Sequence, residues 1–292
     1  MLSGCHNNYV MRKAEKRFVR LRNDHLEITF CTLGASIFRV KYYDDDMLLT
    51  PKERRDYFNT FFYHGKTIGR LCGRINNNGE VVLHGGKDGI STKDFDYEKQ
   101  GNKLVFEYLS PDGESGCNGN FFLRVVYELI EDTLTVRYHA TVDKTCLVSL
   151  TNHAYFCLGE DSVEKLSLKM GSERYLEIDK NMLPIKMVDV PAQRVFENYK
   201  SLSTTGEIDN FFSVRDGAIS LRSSRYQVDI SSDFPGTVIY TDNFVNEIPT
   251  TYSKATTHRG VAIEPQDNQL FRKELKLGET YERYISYTFK KL

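Results

Sequence analysis

Five positions in this chain carry side chains that can trade a proton or grip a polar ligand, and each sits at the edge of an apolar run. His153 lies in Ser149–Leu158, SLTNHAYFCL, where Thr151, Asn152 and His153 set a hydroxyl, an amide and an imidazole side by side between core-type residues. Polar groups in that setting find hydrogen-bond partners or cost stability. Glu264 stands in GVAIEPQ, carried inward by Val261, Ala262 and Ile263. The Pro that follows cannot donate to a ladder, so a strand is expected to end there. An acid at such a boundary is either desolvated and functional or paired with Arg and structural. His84 precedes Gly85-Gly86, Asp209 falls in GEIDNFF, and GRLCGRI carries Arg70 and Arg74. Taken singly, each has a plain reading: a satisfied core histidine, a solvated histidine at a glycine turn, a turn acid, half of a surface ion pair. The alternative is that His153, Glu264, His84, Asp209 and Arg74 all face one pocket.

The elements that would position them read as strands. In Thr133–Val142, Leu134, Val136, Tyr138, Ala140 and Val142 alternate with Thr135, Arg137, His139 and Thr141, the period of a sheet with one buried face. Val19–Phe30 and Ala35–Tyr43 read as two strands joined by Thr32-Leu33-Gly34. Asp44-Asp45-Asp46 lacks the spaced acids and Gly of a calcium loop and reads as a solvated turn. Thr50-Pro51-Lys52-Glu53 combines a capping box with Pro at the first helical position, which predicts a short helix to about Asn59. Asn76-Asn77-Asn78-Gly79 is a hairpin turn. Alternating segments recur at Lys103–Leu109, Asn120–Ile130, Lys165–Met170, Tyr175–Ile178, Ile219–Leu221, Tyr226–Ile230, Thr237–Tyr240 and Tyr281–Phe289. Many short strands, turn signals between them and very few short helices predict an all-β protein, a large β-sandwich or barrel, with residues 1–292 forming a single domain.

Composition narrows the partners. A net charge of −1 over 292 residues gives no basic field for nucleic acid or an anionic membrane. No apolar run approaches the roughly 20 residues of a membrane helix. Leu2-Ser3-Gly4-Cys5 has the form of a lipoprotein cleavage box but follows no charged or apolar leader segment, so a cytoplasmic protein is expected. The six cysteines show neither C-x-x-C spacing nor pairing with histidines, which fits free thiols in a reducing compartment and no zinc.

Together these stretches resemble the aldose 1-epimerases, or galactose mutarotases. SLTNHAYF resembles the family's histidine motif, GRLCGRI its paired-arginine segment, LHGG its second histidine and SPDGESGCNG its SPDGE loop. EIDNFF is similar to the sugar-binding aspartate motif, DFPGTVIYTDNF to the strand after it, and GVAIEPQ to the catalytic glutamate motif. They occur in family order from about Leu33 to Gln266. The resemblance implies a galactose mutarotase-like supersandwich whose concave face binds a small-molecule sugar, without metal or cofactor; a monomer or homodimer is expected. It implies Glu264 as general base and His153 as general acid, with His84 holding and polarising the sugar and Arg74 and Asp209 binding its hydroxyls. The acid is expected charged and the base ionised near neutral pH. Arg74 nearby would keep Glu264 ionised and burial would oppose this.

The chain departs from the pattern at Gly73, where many relatives carry Asn, at Val238, where several carry Gln, and at Asn210, where His is frequent. These changes bear on which hydroxyls are recognised. Two alternatives accompany the mutarotase expectation. One is an epimerase of a phosphorylated or modified sugar, with Lys66, Lys87 and Arg70 as candidate phosphate contacts. The other is a non-catalytic sugar-binding regulatory protein on the same fold.

Overall fold

The computed structural model describes residues 18–59, 63–77, 79–244, 250 and 257–292. The Leu2–Cys5 segment and Asn78 of the hairpin turn lie outside them. The architecture is an all-β sandwich with one short α-helix, Arg54–Asn59, among the described residues. A nine-stranded sheet runs in the order Lys200–Ser201, Ser167–Met170, Ala218–Arg222, Tyr226–Ser232, Tyr281–Lys291, Thr133–Val142, Phe121–Ile130, Lys103–Ser110, Asp96–Gln100. A six-stranded sheet runs Tyr155–Phe156, Val261–Gln266, Gly236–Tyr240, Asp209–Ser213, Arg174–Ile178, Pro184–Asp189. A four-stranded sheet, Phe18–Arg22, Leu26–Cys31, Ser36–Tyr42 and Asp45–Asp46, extends the sandwich.

Alternation builds the core. Leu134, Val136, Tyr138 and Ala140 are buried, and they pack with Leu123, Val125 and Tyr127 of the neighbouring strand and Ile285 and Tyr287 of the other. The six-stranded sheet contributes Phe212, Ile239, Val261 and Ile263 to the same cluster, and the four-stranded sheet contributes Ile28, Phe30, Ile37 and Val40. Side chains of opposite parity on the six-stranded sheet therefore point away from this core, as the period of two requires.

The structure changes several of the sequence expectations. Val19–Phe30 is a hairpin rather than one strand, because Asn23 Oδ1 accepts the backbone N–H groups of His25 (3.1 Å) and Leu26 (2.9 Å) and turns the chain. Asp45 and Asp46 form a short strand, not a solvated turn. Asp46 is buried against Arg39, with Nη2 donating over 2.7 Å, and Asp45 accepts from Arg225 and from the Tyr226 hydroxyl, each at 2.7 Å. The strand carrying Glu264 does not stop at Pro265 but runs to Gln266. Its neighbour Tyr155–Phe156 pairs only with Val261 and Ala262, so the missing N–H at 265 interrupts no ladder on that side.

Candidate active site

The side chains facing away from the core on the six-stranded sheet form the floor of a cavity, and cross-strand register sets them in rows. Glu264 pairs with Val238, which pairs with Phe211; Ala262 pairs with Tyr240, which pairs with Asp209. Gln266 pairs with Gly236. Arg74, at the start of the strand Arg74–Asn77, and His84, just beyond its hairpin partner Glu80–Leu83, enter from a separate ribbon. His153 enters from the turn between Thr151–Asn152 and Tyr155–Phe156. All five sequence-derived candidates, Glu264, His153, His84, Asp209 and Arg74, line this cavity.

His153 is held on every side. Its N–H donates to the Lys66 carbonyl (2.9 Å) and its own carbonyl accepts from the Gly65 N–H (2.8 Å). Its ring lies between Tyr63 and Tyr155, stacked at 5.7 and 4.9 Å, and edge-on to His84 at 5.3 Å. Asn152 serves as scaffold, donating to the Gly65 carbonyl at 2.8 Å. The result aims His153 Nε2 at Glu264 Oε1, 3.3 Å away, with both side chains almost fully buried. Glu264 Oε2 and His153 Nδ1 have no hydrogen-bond partner among the described residues. Arg74 Nη2 and Asp209 Oδ2 form a largely buried ion pair at 3.2 Å on the same wall.

Burial sets the charge states. It pushes Glu264 well above the ordinary carboxyl value, the Asp209 charge adds to the rise, and Arg74 opposes it. Desolvation is the larger effect, which resolves the competition between burial and Arg74. Burial lowers His153 to about 3, with Arg74 adding, and lowers His84 well below the usual imidazole value, with His153 and Arg74 adding. Asp209 is raised by burial against the pull of Arg74. The resting site thus favours neutral rings beside a protonated Glu264, not the charged acid and ionised base that the motifs alone lead one to expect.

His84, His153 and Glu264 also bring one donor atom each within 4.8 Å of one another, a set that could surround a cation. The tautomer of His84 bears on this. Its Nδ1 accepts the Gly73 N–H at 3.1 Å, so in the neutral ring the proton sits on Nε2. A metal-ligating imidazole ordinarily donates its second nitrogen's proton to an acceptor, the reverse of this arrangement. The ring is set to donate to an oxygen.

The departures have structural counterparts. Gly73 has φ +76°, and a Cβ there would fall 2.3 Å from the Gln269 amide nitrogen, so Gln269 fills the space of a side chain at 73. Val238 makes the floor beside Glu264 apolar. Asn210 is committed to the protein, accepting from Arg194 at 2.8 Å and donating to the Leu176 carbonyl at 3.3 Å. Of the three cations considered for a phosphate, none lines the cavity. Arg70 is fully buried and donates to Ser110 Oγ and to the carbonyls of Ser110, Pro111 and Gly119 at 2.7–2.9 Å, stapling the SPDGE loop. Lys66 is buried beside the Tyr57 ring, and Lys87 borders an adjoining groove. Sequence reasoning missed Tyr63, Tyr155, His64, Gln266 and Gln269, all of which line the cavity. Gln266 had a signal, two residues after Glu264 and so on the same face of an extended strand.

A β-sandwich whose six-stranded sheet carries a buried carboxylate on a cavity floor, met by an imidazole from an adjoining turn, is the galactose mutarotase-like class. An aldose epimerase homologue from C. elegans superposes with a TM-score of 0.88 at 23% identity, over 95% of this chain and 100% of its own. A galactose 1-epimerase from Lactobacillus acidophilus does so at 0.85 and 23%, over 97% of both chains. In sequence, a galactose mutarotase from Sus scrofa is 24% identical across 92% of this chain and 93% of its own length. An aldose 1-epimerase from Escherichia coli is 33% identical across 58% of this chain and 56% of its own. Residues 17–288 match the aldose 1-epimerase family, and the chain belongs to it.

Proposed function

We propose that this protein is a mutarotase that interconverts the α and β anomers of a neutral aldohexose by general acid–base ring opening. The observation that carries the reading is the buried contact of His153 Nε2 with Glu264 Oε1 at 3.3 Å. The anomeric hydroxyl and the ring oxygen are both bonded to C1, so groups this close can serve both in one step. Glu264 takes the proton of the C1 hydroxyl as C1=O forms. The C1–O5 bond breaks, and O5 receives the proton of His153 Nε2. Rotation about C1–C2 presents the other face, O5 attacks C1, and both protons return. The pair needs one proton in total. Burial leaves it on Glu264 at rest, whereas a hydroxyl donating to the carboxylate and an ether oxygen accepting from Nε2–H favour the ionised arrangement once sugar is bound. Arg74 and Asp209 would hold hydroxyls, and His84 would donate its Nε2–H to a sugar oxygen.

The engagement of Arg70 within the protein and the positions of Lys66 and Lys87 favour a neutral sugar over a phosphorylated one. An acid and a base in direct contact favour an enzyme over a pure binder. One core cluster running from Leu21 to Phe289 supports a single domain over 1–292. Cys72, Cys117, Cys146 and Cys157 carry free thiols, which supports a reducing, cytoplasmic setting, and no described helix is long and apolar enough to cross a membrane. Residues of one chain supply both members of the catalytic pair, which suits a monomer or a homodimer alike.

The test is anomer exchange by polarimetry or NMR over neutral and phosphorylated aldoses, with the spontaneous rate subtracted at each pH. Acceleration of a neutral aldohexose is expected. Binding without acceleration of any sugar would replace this reading with that of a binding protein.

A further inference from the structure

Gln266 is the most deeply buried polar side chain on the cavity floor, with 0% of its surface exposed. Neither its Oε1 nor its Nε2 has a hydrogen-bond partner among the described residues. Its cross-strand neighbour is Gly236, which has no side chain to offer, and a Cβ at 236 would strike the Phe211 ring at 2.3 Å. Phe211 therefore occupies the space over Gly236 that a partner side chain at that position would fill. A desolvated primary amide with both ends unmet opposes folding, so its retention here calls for a partner from outside the described residues, and the open cavity is where one can enter.

Gln266 lines the same cavity as Glu264 and faces the same way, two residues further along the strand. That spacing is on the order of 7 Å. A pyranose with its C1 hydroxyl at Glu264 thus brings the hydroxyls of the next ring carbons toward the amide. The amide presents an acceptor and a donor side by side, the complement of two hydroxyls on adjacent carbons, one donating to Oε1 and the other accepting from Nε2–H. Being neutral, it can hold a diol beside the reacting carboxyl without adding a charge.

Resting on the mutarotase reading, we infer that Gln266 is a substrate-binding residue that grips the vicinal hydroxyl pair at C2 and C3 of the aldose. The substrate class follows: an aldose bearing free hydroxyls at both carbons, in preference to its 2-deoxy, 3-deoxy or 2-acylamino counterparts.

The experiment compares wild type with Gln266→Leu on one accepted aldose and its 2-deoxy, 3-deoxy and 6-deoxy forms, reading kcat/KM for anomer exchange, sugar affinity by calorimetry, and the sugar-free melting temperature. Gln266→Leu should lower kcat/KM for the parent sugar about tenfold or more, mainly through KM. The loss should shrink below about threefold for the 2-deoxy or 3-deoxy sugar and persist in full for the 6-deoxy sugar. The sugar-free protein should melt no lower than wild type, because an unmet buried amide has been removed. Gln266→Met serves if the Leu variant does not fold. An equal loss on all four sugars, no loss on any, or a lowered melting temperature would overturn the inference. If wild type accelerates no aldose, the enzymatic reading fails, while calorimetry on the same four sugars still decides what Gln266 binds.

Discussion

Replacing Glu264 by Gln preserves size and hydrogen-bonding reach but leaves no group able to take the C1 hydroxyl proton. Loss of a positioned base costs about 10²-fold or more, or roughly 2.7 kcal/mol of barrier, while affinity for the sugar should change little. The same substitution reads out the charge state of the carboxyl. Its ordinary value is 4.5, and burial raises it well above that in the folded protein. Between the two values the folded chain keeps a proton that the unfolded chain has lost, so wild-type stability falls as pH rises. The contribution is complete below 4.5 and is gone above the folded value. Its slope is about 1.4 kcal/mol per pH unit for one group. Gln does not titrate, and the buried histidines His64 and His84 are present in both proteins. Glu264→Gln should therefore gain on wild type as pH rises above 4.5, at a rate of at most about 1.4 kcal/mol per pH unit. Urea midpoints at pH 5, 6 and 7, paired with NMR anomer exchange on the same samples, measure both effects. A stability difference flat across that range would mean a carboxyl that ionises normally and would refute the electrostatic argument. Undiminished exchange would remove Glu264 from the chemistry.

Asp209→Asn should raise KM and leave kcat nearly intact, because the hydroxyl contacts assigned to it exist in ground and transition states alike; steady-state exchange kinetics showing a fall in kcat at constant KM would move Asp209 into the proton-transfer steps. Arg70→Met should cost about 3 kcal/mol or more in chemical denaturation, since it strips the donors from the Ser110 hydroxyl and from the carbonyls of Ser110, Pro111 and Gly119. KM should stay close to wild type wherever the variant is folded, because Arg70 does not line the cavity; a large rise in KM would show that the staple shapes the sugar site.

What could be read from the chain and what could not divide along physical lines. Thr133–Val142 is legible to the residue because half-buried alternation is a local signal. The convergence of Arg74, His84, His153, Asp209 and Glu264 came from resemblance, since contacts between residues up to 190 positions apart have no local trace. Asp46 and Arg70 were misjudged for a shared reason: their partners, Arg39 for one and the SPDGE loop for the other, are set by tertiary approach. The charge states of His153 and Glu264 depend on the depth of burial, which residue type alone does not specify. Val238 could be noted as unusual, but only the register shows it directly opposite Glu264.

The six-stranded sheet stands between the hydrophobic core on one side and the cavity on the other, with its strands reading alternately to each. In Val261–Gln266, Val261 and Ile263 belong to the core, while Glu264 and Gln266 belong to the cavity. Asp209–Ser213 and Gly236–Tyr240 divide in the same way, with Phe212 and Ile239 facing inward and Asp209, Phe211, Val238 and Tyr240 lining the site. Mutational drift at one parity is therefore filtered by foldability and at the other by ligand. Val238 can be exchanged for a polar residue, changing the chemistry of the cavity floor, while the buried layer one residue away stays unchanged. Selectivity on this scaffold can evolve a single side chain at a time, at positions where folding has little to veto.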